Sequence, residues 1–263
     1  MKVSSEERFY DYYADASQSE VTLQRFLSIR DLVLRIAAKE IGSAIALEVA
    51  DVGCGAGTQC MMWAEMGHRV HGLDVNESLL DLARTRAVNG KYTIDFQVGS
   101  AVDLPWAEES MDVCLVPELL EHVAEWQRCL SECVRILRPG GMLFLTTSNK
   151  LCPRQQEFNL PFYSWYPAPI KRYCERLAVT THPQLANFAR YPAVNWFTFY
   201  SLREVLVASG FKCLDRFDVM DLTRKNAIAR IVLVLVRSSS VLRWLAHVAT
   251  EGTMLIAIKS RGA

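Results

Sequence analysis

Three glycines alternate behind an acid in Asp51-Val52-Gly53-Cys54-Gly55-Ala56-Gly57, where an apolar run gives way to a loop and then to a helix-length segment. Glycine there lets the backbone turn tightly and come into contact with a ligand where a Cβ would intrude. Open α/β sheets place nucleotide-derived ligands over such a loop, outside the carboxyl end of the first strand. A dinucleotide fingerprint needs G-x-G-x-x-G, but the third glycine would have to stand at Thr58 or Cys60, so that reading fails on spacing. Asp74 ends the run His71-Gly72-Leu73-Asp74, where a carboxylate can accept hydrogen bonds from both hydroxyls of a ribose. Downstream, Glu118, Glu121 and His122 stand at i, i+3 and i+4, a spacing that puts Glu118 beside both others on one face of a helix. Two carboxylates and an imidazole can ligate a divalent ion, or the imidazole can move a proton on its own.

The elements that must position these residues are legible from periodicity. Short apolar or β-branched runs at 46–52, 69–75, 93–98, 111–116 and 142–147 are separated by helix-length segments. That alternation predicts βαβ units and an α/β fold: a Rossmann-like, seven-stranded, mostly parallel sheet with helices on both faces. Apolar residues at helical spacing predict an amphipathic helix over 21–40. Pro139-Gly140-Gly141 is expected to stop a helix ending at Leu137, and Ser201 to Glu204 reads as a capping box that opens a helix through Ser209, before a strand over 211–219. Between 151 and 200 the pattern lapses into Pro, aromatic and basic residues, too long for an ordinary connection, and is read as an inserted lid. Residues 222–250 read as a C-terminal helical insertion before a final strand at 253–259. The whole chain, 1–263, is taken as one domain: an N-terminal helical region (1–42), a ligand-binding core (43–150), the lid (151–200) and a C-terminal part (201–263).

Composition narrows the classes. Hydrophobic residues make up 51% of the 263 and charged residues 22%, so a packed core is expected and disorder is not. Lys+Arg 29 against Asp+Glu 29 leaves no cationic excess for a polyanion, and nucleic acid is not expected as a partner. Eight cysteines without a C-x-x-C pair, and a polar stretch over 1–10 in place of a targeting signal, point to reduced thiols and a cytoplasmic protein. The apolar run 228–236, broken by Arg230, is well below the roughly 18 residues that span a bilayer, so it can at most lie on a membrane. Peripheral membrane contact, packing against the sheet, and a homodimer contact are the readings of this segment.

The D-x-G-x-G-x-G loop, the acid at Asp74, the stretch Gly99-Ser100-Ala101-Val102-Asp103-Leu104-Pro105-Trp106, and Val116-Pro117-Glu118-Leu119-Leu120-Glu121-His122-Val123 followed by Arg135-Ile136-Leu137-Arg138-Pro139-Gly140-Gly141 resemble the class I S-adenosylmethionine-dependent methyltransferases. Within that superfamily, E-x-x-E-H and the later Thr181-His182 look most similar to the ubiquinone-biosynthesis O-methyltransferases. The resemblance implies S-adenosyl-L-methionine as cofactor. It implies that Asp51 and the loop Gly53, Cys54, Gly55, Gly57 hold the methionine end, with Arg30 on its carboxylate. Asp74 and Val75 would meet the ribose, Ser100 and Ala101 the adenine, and Pro117 the sulfonium. The acceptor is expected to be a small, aromatic or lipophilic molecule methylated on oxygen, with N- or C-methylation as the runner-up. A nicotinamide oxidoreductase is disfavoured by the glycine count and the absence of an evident Tyr-x-x-x-Lys pair. Two readings of the acceptor side stay open: a divalent metal held by Glu118, Glu121, His122 and His182, or catalysis by His122 and His182 without metal. The aromatic residues Phe158, Phe162, Tyr163, Trp165, Tyr166 and Trp196 suit a flat acceptor or, equally, a core.

Overall fold

A computed structural model describes residues 14–40, 42, 46–187, 189, 191–223 and 226–261. The stretch 1–10, read above for targeting signals, lies outside them. In chain order the elements are α1 (Glu20–Glu40), β1 (Glu48–Val52), α2 (Thr58–Ala64), β2 (Arg69–Asp74), α3 (Glu77–Gly90), β3 (Ile94–Val98), β4 (Met111–Pro117), α4 (Trp126–Ile136), β5 (Leu137–Ser148), α5 (Ala168–Thr180), α6 (Phe199–Ala208), β6 (Phe211–Asp215), α7 (Arg216–Val219), α8 (Ala227–Ser238), α9 (Ser240–Val248) and β7 (Gly252–Lys259). Seven strands form one mixed sheet in the order β3-β2-β1-β4-β5-β7-β6, so the α/β expectation holds.

The chain divides into two compact units: one contains Glu125–Phe144, the chain up to Leu119 and the end from Ile258, and the other Leu120–Ala124 and Leu145–Ala257. In the first unit β1 pairs in parallel with β2 and β4, and β2 with β3, placing Asp51 opposite Gly72 and Asp74 opposite Val98. Parallel strands covered on both faces are apolar along their length, as Val49, Ala50 and Val52 of β1 and Val113 to Val116 of β4 are. Helix α1 buries Ile29, Val33, Ile36 and Ala37, the one-sided spacing its periodicity predicts. Helix α3 starts where Asn76 accepts the Leu79 amide at 3.2 Å, satisfying an otherwise orphaned donor.

Three boundary expectations are corrected. Helix α4 ends at Ile136 without help from glycine, and Pro139-Gly140-Gly141 lies inside β5. Gly140 takes φ +82°, and a Cβ on Gly141 would meet the carbonyls of Arg138 at 2.9 Å and Asp112 at 3.2 Å, so these glycines serve a bent, closely approached strand. Helix α6 begins three residues earlier than read: Thr198 is its N-cap, its hydroxyl accepting the Ser201 amide (2.9 Å) while the Ser201 hydroxyl accepts the Thr198 amide (3.1 Å). Ser201 is therefore the reciprocal partner in the box, and Glu204 takes no part. The strand from Phe211 stops at Asp215, whose carboxylate accepts the Phe217 and Asp218 amides (2.8 and 3.0 Å) and turns the chain into α7.

Within the second unit, the segment read as a lid carries α5 and short 3₁₀ turns at Tyr163–Trp165 and Pro183–Ala186. It has a small core of its own. Phe158, Tyr163, Cys174, Ala178 and Ala186 are buried together, with Tyr166 and Trp196 packed against them. Phe158 stacks on Tyr163 at 4.1 Å between centroids, and the Lys171 ammonium sits 4.0 Å over the Trp196 ring. Phe162 and Trp165 stay exposed. Four of the six aromatics thus pack on one another. Burial brings the Lys171 ammonium down to about 8.

Candidate active site

The glycine loop leaves β1 through three left-handed residues, Gly53 (φ +79°), Gly55 (φ +51°) and Gly57 (φ +72°), a conformation that side chains rarely adopt. The three are not equivalent. A Cβ on Gly57 would lie 2.8 Å from the Ala83 Cβ and 2.9 Å from the Phe96 ring, and one on Gly53 would press on Leu119 at 3.0 Å. A Cβ on Gly55 would meet nothing within 4 Å among the described residues, so the loop presents bare backbone there. The ring of Phe96 also lies 2.7 Å from where a Cβ on Gly72 would stand, and so fills the gap left by two glycines.

Asp74 locks this loop. Its Oδ2 accepts the Gly55 amide at 2.9 Å and its Oδ1 the Asn76 amide at 2.8 Å, while the remaining lone pairs are left for a ligand. Burial raises its pKa, against the lowering pull of the Asn76, Gly55 and Val75 amides. The Gly99 amide donates to the Asp74 carbonyl at 3.0 Å, bringing the 74–75 and 99–101 segments side by side; Val75 and Ser100 are exposed there and Ala101 is buried. Pro117 ends β4, half-buried. Asp51, by contrast, faces inward. It is 1% exposed, accepts from the Gln59 amide and the Cys60 thiol (both 3.2 Å), and is raised by burial to about 6. It anchors the first turn of α2 beneath the loop, and Gln59 and Cys60 are the residues that sequence reasoning missed.

Arg30 is turned to Asp31 (2.9 Å) and the Met62 carbonyl (3.5 Å). Other contacts of the N-terminal segment reach the loop instead. Gln18 donates to the Thr58 hydroxyl at 3.2 Å, and Arg86 of α3 donates to Ser17, Ala14 and the Ala56 carbonyl.

The expected helical face of Glu118, Glu121 and His122 does not form. Glu118 is an exposed turn residue at φ +50° and pairs with Arg25 of α1. Only a 3₁₀ turn, Leu120–His122, follows. In the second unit Glu121 is fully buried, its Oε2 accepting the Thr147 hydroxyl at 2.9 Å and its carbonyl accepting the Val194 and Asn195 amides. His122 is half-buried, and its Nδ1 is shut off from solvent with no hydrogen-bond partner among the described residues. His182 is exposed, its Nδ1 2.8 Å from the Thr181 hydroxyl. Among the described residues no group of three or more His, Cys, Asp or Glu side chains could hold a metal ion. Glu118, Glu121 and His182 are each committed to a different partner, Arg25, Thr147 and Thr181, and the set does not fit a metal.

A methyltransferase domain profile matches residues 50–145. The chain is 34% identical over 204 residues to the ubiquinone biosynthesis O-methyltransferase of Rhizobium johnstonii, covering 74% of this chain and 73% of that one. It is 37% identical over 129 residues to the protein of the same name from Sinorhizobium medicae and 36% over 104 residues to that from Mesorhizobium japonicum. There it covers 48% and 40% of this chain and only 52% and 42% of the relative, about half the length or less. Two solved structures share the fold. An S-adenosylmethionine-dependent methyltransferase from Mesorhizobium loti has a TM-score of 0.56 at 19% identity, over 86% of this chain and 96% of that one. The YcgJ protein from Bacillus subtilis has 0.54 at 16%, over 88% and 98%. The chain belongs to the class I S-adenosylmethionine-dependent methyltransferases. The open backbone at Gly55, beside a carboxylate with lone pairs to spare, fits the cofactor that this family uses.

Proposed function

We propose that the protein methylates an oxygen of a small aromatic or lipophilic acceptor. In this reading the loop Gly53 to Gly57 receives the amino-acid end of S-adenosylmethionine, Asp74 and Val75 the ribose, Ser100 and Ala101 the adenine, and Pro117 flanks the sulfonium. The cofactor supplies a methyl group on a sulfonium leaving group. Methyl transfer from it is an in-line displacement, so alignment and proximity supply much of the acceleration. A phenolic hydroxyl, like the tyrosine side chain with its pKa of about 10, is mostly neutral near pH 7 and gains from a base.

The observation that carries the reading is the Nδ1 of His122, which has no hydrogen-bond partner among the described residues. A buried polar atom without a partner costs about 1–3 kcal/mol, so the ring gains by turning Nδ1 toward an acceptor hydroxyl, which then loses its proton to it. Buried Glu121 and the 194–195 segment, tied by the Val194 and Asn195 amides to the Glu121 carbonyl and by the Asn195 side chain to the Val123 carbonyl, hold the turn that carries this ring. The activity for which the relatives are named, O-methylation, supports oxygen as the methylated atom.

The test is turnover of a panel of hydroxylated aromatic and amine acceptors with S-adenosylmethionine, with products identified by mass spectrometry. We expect methyl ethers, a kcat about 100-fold lower for His122→Ala with unchanged S-adenosylhomocysteine affinity, and the converse for Asp74→Ala. Methylated amines without ethers, or full turnover by His122→Ala, would sink the proposal.

A further inference from the structure

The pair α8–α9 leaves more apolar surface uncovered than a soluble scaffold needs. Helix α8 buries only Leu233 and Val236, and α9 buries only His247. Ile228 is 75% exposed, and Ile231, Val234, Val241 and Leu245 are at least half exposed; Trp244 is 46% exposed. A contiguous run of such residues marks an interaction surface. The charge of the same segment identifies the partner. Residues 222–250 carry Arg224, Lys225, Arg230, Arg237 and Arg243 and no acid, in a chain whose charges cancel only when this segment is counted. Arg243 is committed to Asp215 and Asp218, whereas Arg237 donates to the neutral carbonyls of Phe217, Asp218 and Met220.

We infer that α8–α9 lies on an anionic phospholipid surface, its apolar side chains in the acyl boundary and its cations among the headgroups. No single helix among the described residues is long and apolar enough to cross a bilayer, and the two helices meet at a bend of 114°, which suits an element lying in the interface. Tryptophan at 244 belongs at that depth, since its ring favours the membrane–water boundary. A second copy of the chain is the poorer occupant, because it brings the same cationic excess to the contact.

The test is flotation of the full-length protein with vesicles of phosphatidylcholine alone or with phosphatidylglycerol. Binding is expected only with the anionic lipid, to weaken as salt is raised, and to fall by roughly tenfold in Val234→Glu and Leu245→Glu. Unchanged S-adenosylhomocysteine binding by calorimetry shows that the variants are folded. Should they fail to fold, quenching of the wild-type fluorescence by brominated phospholipid, lost in Trp244→Phe, reports the same contact. Equal binding to neutral vesicles, binding that survives both substitutions, or a dimer that high salt strengthens and the substitutions dissociate overturns the inference.

Discussion

Asp51 in β1 and Asp215 at the end of β6 are both withdrawn from solvent, at 1% and 0% exposure, yet their carboxyls move in opposite directions. Asp51 has an amide and a thiol for company, and burial raises it from 3.8 to about 6. For Asp215 burial pulls the same way, but a bidentate Arg243 (2.7 and 2.8 Å), His247 at 2.9 Å and two backbone amides outweigh it and hold the carboxyl well below the usual range. Burial does not fix the sign of such a shift; the charge of the partners does. Asp51 is a cost carried beneath a ligand-binding loop, whereas Asp215 is a fastener that joins β6 to α9.

The sharpest way to break that contrast is Asp215→Ala, which strands His247, leaves Arg243 to Asp218 and should cost about 3–5 kcal/mol in urea unfolding. A loss below about 1 kcal/mol would make the cluster ornamental. Asp51 should behave in the opposite sense with pH. Its folded pKa lies above its unfolded one, so its ionisation removes stability as pH rises from about 4 to about 6, by about 3 kcal/mol in all. Asp51→Asn should therefore gain on the wild type across that window, and parallel profiles would refute the assignment. The stability from Asp215, whose folded pKa is depressed, is present above pH ~4 and is lost below it.

Smaller effects sharpen the picture locally. Gly57→Ala forces a side chain into a left-handed, filled position and should cost about 1–3 kcal/mol, with weakened S-adenosylhomocysteine binding by calorimetry. Thr198→Ala, far from either aspartate in sequence, removes one N-cap and should lower stability by about 1 kcal/mol by thermal unfolding.

What the sequence made legible was local. The alternating glycines, the strand rhythm through β4 and the one-sided pattern of α1 each repeat within a few residues, and each reappears in the fold. The misread boundaries were decided by reciprocal bonds that a motif does not rank, as between Thr198 and Ser201. Hidden altogether were partners far apart in the chain: Glu121 with Thr147, 26 residues on, and Asp215 with His247, 32 residues on. Nothing beside His247 in sequence announces Asp215 as its partner. The metal face failed for a related reason. Helical spacing was assumed for Glu118, Glu121 and His122, and the chain makes a left-handed turn and a 3₁₀ turn there instead.

Phe96 lies against the places where side chains on both Gly57 and Gly72 would stand, so a single ring bears on two positions on different segments, together with Ala83 at the first and the Cys54 thiol at the second. Those three sites are sterically coupled: trimming the ring removes one neighbour from each glycine while Ala83 and Cys54 remain, and the costs of changing them singly do not sum. Any redesign of the loop must begin from β3, which contributes no atom to the loop itself yet fixes how much bulk it can bear.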